Sequence, residues 1–194
     1  MTARFLTSAA DSSGFPEDSG AELAVVGRSN SGKSSAINRI VGQGKLARVS
    51  KTPGRTQLIN FFELGESRRL VDLPGYGFAR VPEQQRQDWR RLTADYLESR
   101  QSLKGLLLTV DIRRGLLDLD ESLLAWAAGL SLPVMILLTK SDKLSRGAAQ
   151  AALKGLRQEL ASGVTAELFS ALDGTGVEAA QAQVAAWIGA DFRK

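Results

Sequence analysis

From residue 22 onward, short apolar runs alternate with longer stretches in which apolar residues recur every three or four positions. Short apolar runs bounded by turn residues predict buried strands, and the three-to-four period predicts helices that pack on them. The predicted strands are Leu23–Val26, Leu58–Leu64, Arg69–Asp72, Leu106–Val110, Leu132–Thr139 and Thr165–Phe169. The predicted helices are Lys33–Val41, Pro82–Arg100, about Asp118–Ala128, roughly Ser145–Leu160, and Val177–Ile188. Strand–helix alternation implies crossover units and an α/β fold with three layers. It predicts a mostly parallel six-stranded sheet with helices on both faces. Gly65-Glu66 reads as a hairpin turn and makes one strand antiparallel. Residues 43–57, with Gly44, Pro53 and Gly54, form a long loop. Residues 1–20 are polar and read as an N-terminal arm with a short strand near Phe5 and Leu6, and residues 21–194 read as a single domain.

Composition narrows the chemistry. At 194 residues the chain can bury a core without staples. It has no cysteine, which excludes disulfides and zinc–thiolate sites, and no histidine, which excludes imidazole acid–base chemistry and Ser-His-Asp triads. Catalysis must rest on backbone amides, Lys/Arg, Ser/Thr, carboxylates or a bound metal. The net charge of +4 permits a polyanionic partner and equally fits an ordinary solvated surface. The first residues hold no continuous apolar segment of the secretory kind, and the longest apolar runs are too short to span a bilayer. The expectation is a cytoplasmic protein without a membrane segment.

Residues Gly27, Arg28, Ser29, Asn30, Ser31, Gly32, Lys33 and Ser34 match G-x-x-x-x-G-K-[ST] between a predicted strand and a predicted helix. That is the context of a P-loop, and it assigns the chain to the P-loop NTPases. Glycines let successive N–H groups approach phosphate oxygens, and the helix directs its positive end at the same phosphates. Lys33 brings a mobile charge to the β- and γ-phosphates, and Ser34 offers a hydroxyl to Mg2+.

Three further segments follow in order. Asp72-Leu73-Pro74-Gly75 fits D-x-x-G at a strand end, with Asp72 reaching Mg2+ through water and the Gly75 N–H facing the γ-phosphate. Thr139-Lys140-Ser141-Asp142 fits [NT]-K-x-D. Guanine presents donors at N1 and N2, which one carboxylate accepts together, whereas adenine presents an acceptor at N1 that Asp142 repels. The Lys140 stem can cover one face of the base. Ser170-Ala171-Leu172 follows the last strand, where a backbone N–H can meet guanine O6 or the chain can simply turn. In the loop at 43–57, Thr52 and Thr56 are candidates to close over Mg2+, and Thr56, just before the next strand, is favoured. This loop and residues 75–81 then form two switches ordered by the γ-phosphate.

The runs GRSNSGKSS (27–35), SKTPGRTQLINFF (50–62), VDLPGYGFA (71–79) and TKSDKL (139–144) resemble the EngB (YihA/YsxC-type) bacterial GTP-binding proteins, within the Era/TrmE-like P-loop GTPases. The resemblance covers nearly the whole chain, including PED near residue 16 and the DIR segment at 111–113. It implies a single-domain GTPase acting in large-ribosomal-subunit assembly and linked to cell division and septation. It implies Mg2+ held by Ser34 and Thr56, and GTP or GDP contacted by residues 27–34, by Gly54, Arg55, Thr56, Gln57 and Leu58, by Asp72 to Gly75, by Thr139 to Asp142, and by Phe169, Ser170 and Ala171. Leu172 departs from the Lys often found after Ser-Ala in other GTPases, which puts stacking there in doubt.

Phosphoryl transfer needs positioning and charge stabilisation, here from Lys33, Mg2+ and loop amides. Tyr76 stands where Ras-like proteins carry a Gln that orients water, so slow intrinsic hydrolysis is expected. Asn30 lies where K+-activated GTPases carry an Asn; it either ligates K+ or only shapes the loop. Lys45, Arg48, Lys51, Arg55, Arg80, Arg86, Arg90 and Arg91 lie in or beside the switches and could read rRNA phosphates, or simply face water. Trp89 reads as a buried helix residue, with an exposed partner anchor as the alternative, and Trp126 and Trp187 read as core. The leading reading is a monomeric ribosome-assembly GTPase. The alternatives are a GTP-dependent interaction protein of the division apparatus and a P-loop ATPase or kinase, the last opposed by Asp142.

Overall fold

The computed structural model describes residues 2–47, 58–77 and 83–192, without the side chains of residues 83, 85, 86 and 89. The elements run β1 (Arg4–Ala9), β2 (Ala21–Gly27), α1 (Lys33–Ile40), β3 (Ile59–Glu63), β4 (Arg68–Asp72), α2 (Glu83–Ser99), β5 (Leu103–Asp111), α3 (Asp118–Gly129), β6 (Val134–Thr139), α4 (Arg146–Glu159), β7 (Val164–Leu168) and α5 (Val177–Ile188). One sheet has the order β1-β3-β4-β2-β5-β6-β7. Strand β3 is antiparallel to both neighbours, and the remaining pairs are parallel. The expected architecture is present, with seven strands where six were predicted. The seventh is β1, from the segment read as an arm. It pairs Arg4 with Glu63 through to Ala9 with Ile59 and so covers backbone groups that β3 would otherwise expose. Its sequence signal is weak because Phe5 and Leu6 remain exposed on the edge.

The strands read as continuous apolar runs because both faces of the sheet are covered. Leu23, Val25, Leu107, Met135 and Leu137 face α1 and α5, meeting Ile37, Ile40, Val184 and Ile188. Ala24, Val26, Leu106, Leu108 and Ile136 face the other way, toward Leu92 and Tyr96 of α2, Ala127 of α3 and Leu153 of α4. Trp126 and Trp187 are partly buried and pack on the edges of these two clusters, and the Trp89 side chain is outside the described residues. No helix among the described residues is long and apolar enough to cross a membrane.

A charged knot closes the end of the sheet opposite the P-loop. Glu22 is fully buried at the start of β2. Its carboxylate accepts hydrogen bonds from Arg69 (2.9 Å), from Arg100, and from the Tyr96 hydroxyl (2.8 Å). Arg100 also donates to the Pro16 carbonyl, and its guanidinium lies 6.0 and 5.9 Å from the Phe15 and Phe61 ring centres. Burial raises the Asp18 carboxyl, but hydrogen bonds from Ser102 and Gln101, with the Arg100 charge, bring it to about 2. The PED segment thereby ties the chain before β2 to the C-terminal end of α2.

Removing one partner of a buried ion pair leaves the other charges uncompensated. Glu22→Ala is therefore expected to lower stability by about 3 kcal/mol, read as a lower urea midpoint with an unchanged m-value; a shift below about 0.5 kcal/mol, the scale of neutral surface changes, would refute this role.

Candidate nucleotide site

The C-terminal ends of the parallel strands β2, β4, β5 and β6 meet on one edge, where the order reverses between β2 and β5 and open α/β sheets place their ligands. The loop from Gly27 to Gly32 leaves β2 there. At Gly27 the backbone passes so close to β5 that a Cβ would lie 2.2 Å from Thr109 Oγ1 and 2.6 Å from the Thr109 carbonyl oxygen. Gly32 has φ 95, left-handed backbone that favours glycine, and caps α1. Lys33 and Ser34 therefore open α1, at the helix end that carries free N–H groups and positive dipole.

The D-x-x-G and T-K-S-D segments both touch this loop. Ser31 is buried, and its hydroxyl lies 2.7 Å from the Thr109 hydroxyl. The Thr139 hydroxyl donates to the Ser31 carbonyl. Lys140 Nζ donates to the Asn30 carbonyl (2.6 Å) and pairs with Asp111 (2.9 Å). Hydrogen bonds from Arg113 and, against some desolvation, from Lys140 hold Asp111 well below the usual carboxylate range. Asn30 has φ 63 and an exposed side chain. Its backbone is thus the partner of Lys140, which ties the two loops together.

Asp72 ends β4 and is ion-paired with Lys33. Leu73 and Pro74 are buried, and Gly75 lies on the loop, where a Cβ would sit 3.5 Å from the Gly27 carbonyl oxygen and from the Ser29 nitrogen. The Ser29 N–H donates to the Tyr76 carbonyl (2.8 Å) and the Tyr76 N–H to the Gly27 carbonyl (3.3 Å). Arg28 lines the far side, its guanidinium 3.1 Å from where a Cβ of Gly77 would stand.

Asp142 follows buried Ser141, whose N–H donates to the Phe169 carbonyl (3.2 Å). Ser170 Oγ accepts from the Leu172 and Asp173 N–H groups and so directs its own hydrogen to Asp142 (2.8 Å). That hydrogen bond leads in holding Asp142 below its ordinary value. Phe169 is fully buried in the core, so only its backbone faces this loop; Ala171 is partly buried and Leu172 is 77% exposed beside it. Antiparallel β3 begins where β4 ends, with Asn60 opposite Asp72, which brings Leu58 to the same edge. Gly54, Arg55, Thr56, Gln57 and Thr52 lie outside the described residues. Sequence reasoning missed Thr109, Asp111 and Asp120. Thr109 carried a signal, a hydroxyl inside the apolar run Leu106–Val110, whereas Asp120 carried none.

A phosphate loop, a D-x-x-G turn and a T-K-S-D loop gathered on one sheet edge define a P-loop GTPase. The family model described as 50S ribosome-binding GTPase matches residues 22–140. The chain is 50% identical over 186 residues to the probable GTP-binding protein EngB of Enterobacter sp. (strain 638), covering 94% of this chain and 89% of that protein. It is 53% identical over 190 residues to that of Nitrosococcus oceani, covering 96% and 95%. This chain belongs to the EngB family of GTP-binding proteins, and it is a GTPase. The crystal structure of a probable GTP-binding protein EngB shares its fold, with TM-score 0.71 at 23% identity over 87% of this chain and 99% of that one. So does Era in complex with MgGDPNP and a 16S ribosomal RNA fragment, with TM-score 0.66 at 18% identity over 88% and 57%.

Because the Gly27 contact involves backbone on both sides, Gly27→Ala forces β2 away from β5. A loss of about 2 kcal/mol is expected, seen as a melting temperature lowered by about 4–8 °C. An unchanged melting temperature would show that the loop tolerates the Cβ.

Proposed function

We propose that this GTPase is a Mg2+-dependent switch that binds the assembling large ribosomal subunit in its GTP form and leaves after hydrolysis, with a resulting link to cell division and septation. The family description, a 50S ribosome-binding GTPase, supports the target. The Lys33–Asp72 ion pair, and the contacts of Tyr76, Thr139 and Lys140 with the backbone of residues 27–31, support the mechanism. In this reading the amides of residues 27–34 and the α1 N-terminus cradle the phosphates, Lys33 exchanges Asp72 for the β- and γ-phosphates, and the Gly75 N–H meets the γ-phosphate. The Ser34 hydroxyl, a Thr56 hydroxyl and the Asp72 carboxylate through water are hard oxygen donors, the set that suits Mg2+. Bound there, the ion neutralises charge on the phosphate oxygens. Asp142, oriented by Ser170, accepts the two guanine donors, and the pinned Lys140 lays its stem along one face of the base.

Tyr76 turns its side chain into the protein, so no side chain at that position orients the attacking water, and intrinsic hydrolysis is slow. Asn30 stands exposed at the loop tip, open to a K+ ion beside the phosphates. Lys45, Arg90 and Arg91 are exposed near the switch segments and supply charge for rRNA phosphates. Arg48, Lys51, Arg55, Arg80 and the Arg86 side chain lie outside the described residues. The protein acts as a monomer in the cytoplasm.

The test is co-sedimentation with purified large ribosomal subunits at two salt concentrations, with GDP or a non-hydrolysable GTP analogue. Binding stronger with the analogue and weakened by salt is expected; its absence in both states would move the target to an assembly intermediate or a division protein. For the base, Asp142→Asn replaces one acceptor with a donor and is expected to weaken GDP binding by about 100-fold or more while improving binding of xanthosine diphosphate. Undiminished GDP affinity would remove Asp142 from the base site.

A further inference from the structure

Tyr76 directly follows Gly75, yet its ring leaves the nucleotide edge and is 4% exposed. Its hydroxyl donates to Asp120 Oδ1 at 2.5 Å. Asp120 is 1% exposed in the first turn of α3, outside every nucleotide motif. Its other oxygen accepts the Leu117 N–H (3.0 Å), the bond that starts the helix. Tyr76 is therefore held by α3 through its hydroxyl, and by Gly27 and Ser29 of the phosphate loop through its N–H and carbonyl. Arg28 and Tyr76 form a parallel bridge, which extends the β2–β4 pairing past the end of both strands. Burial, reinforced by the adjacent Asp120 charge, keeps the Tyr76 hydroxyl protonated well above its usual range, so it remains a donor throughout the physiological range.

We infer that Asp120 and Tyr76 are positioning residues for GTP hydrolysis, a latch that presets the D-x-x-G turn against the phosphate loop before the γ-phosphate arrives. The inference rests on the proposed contact of the Gly75 N–H with the γ-phosphate. A donor already placed needs little ordering when charge develops there. GDP has no γ-phosphate and gains nothing from the placement. The latch therefore acts on the difference between the two nucleotides and leaves their common affinity alone. It also makes α3 sense the nucleotide. A shift of Gly75 toward a γ-phosphate pulls on Tyr76, and through Asp120 it reaches the first turn of α3.

The test measures the affinities of the full chain for GDP and for a non-hydrolysable GTP analogue, with single-turnover hydrolysis, in Tyr76→Phe, Asp120→Asn and the double variant. Tyr76→Phe deletes the donor. Asp120→Asn leaves one oxygen for two donors and keeps the shape, so it carries the test if the phenylalanine variant folds poorly. Expected are analogue binding and single-turnover rate each reduced about tenfold, GDP affinity within about twofold of the unmodified protein, and a double variant no worse than Tyr76→Phe alone. A purely structural hydrogen bond would weaken both nucleotides equally. That result, or an unchanged ratio of the two affinities, overturns the latch. Gly75→Ala separates the two layers of the argument. If it shifts the ratio and the latch variants do not, only the latch falls. If it too leaves the ratio unchanged, the γ-phosphate reading of the turn falls and takes the latch with it.

Discussion

The phosphate loop between Gly27 and Gly32 is held almost entirely through its own backbone. Gly27 lies against Thr109 of β5, where no side chain fits. The carbonyls of Asn30 and Ser31 accept from Lys140 and Thr139 at the end of β6, and the Ser29 N–H donates to Tyr76 beyond β4. Neighbours on both sides of β2 are thus fastened to one short loop. Glycine at the closest contact, a hydroxyl donor from Thr139, an ammonium donor from Lys140 and the backbone of Tyr76 permit this, because buried loop carbonyls and amides must find partners. In the proposed reading, loop amides not used in these bonds meet the phosphates, and the same loop serves both the sheet edge and the nucleotide.

The two ends of the sheet use charge differently. At the far end, Glu22 is surrounded by Arg69, Arg100 and Tyr96 without access to water, and the ion pairs lock α2 and the preceding chain to β2. At the nucleotide end, Lys33 and Asp72 pair with each other among the described residues, and in the proposed reading a phosphate and a hydrated cation separate them. A multiply bonded knot around a fully buried carboxylate resists exchange, whereas a single ion pair has fewer bonds to give up. Helix α2 is thus fixed at the end remote from the nucleotide, and its other end follows the D-x-x-G segment. The proposed switch would draw on this asymmetry, since motion driven at one end must be taken up against something rigid at the other.

In the proposed reading, base recognition is built in two layers. Asp142 meets the solvent and Ser170 stands behind it, its hydroxyl oriented by two backbone N–H groups. Phe169 anchors the same loop from the core. The departure at Leu172, an exposed apolar side chain next to this pair, would then change what borders the base and leave the Asp142–Ser170 pair intact.

Much of this was legible in the chain. The apolar runs and their helical neighbours foretold the layers because parallel strands covered on both faces must be continuously apolar, and the predicted Val177–Ile188 coincides with α5. The P-loop, Asp72-to-Gly75 and Thr139-to-Asp142 motifs announced themselves because each chemistry demands fixed residue types at fixed spacing. Tertiary structure alone decided that the first strand joins the sheet, since pairing with β3 depends on a free edge and not on the weak pattern of RFLTSA. It also decided that Asp120 meets Tyr76, that Asp111 meets Lys140, and that Glu22 sits among arginines. These partners lie 29 to 78 residues apart in sequence. Local pattern records what a residue needs around it, a hydroxyl in an apolar run or a carboxylate at a strand start. Which distant residue meets that need is settled only when the strands take their order in the sheet.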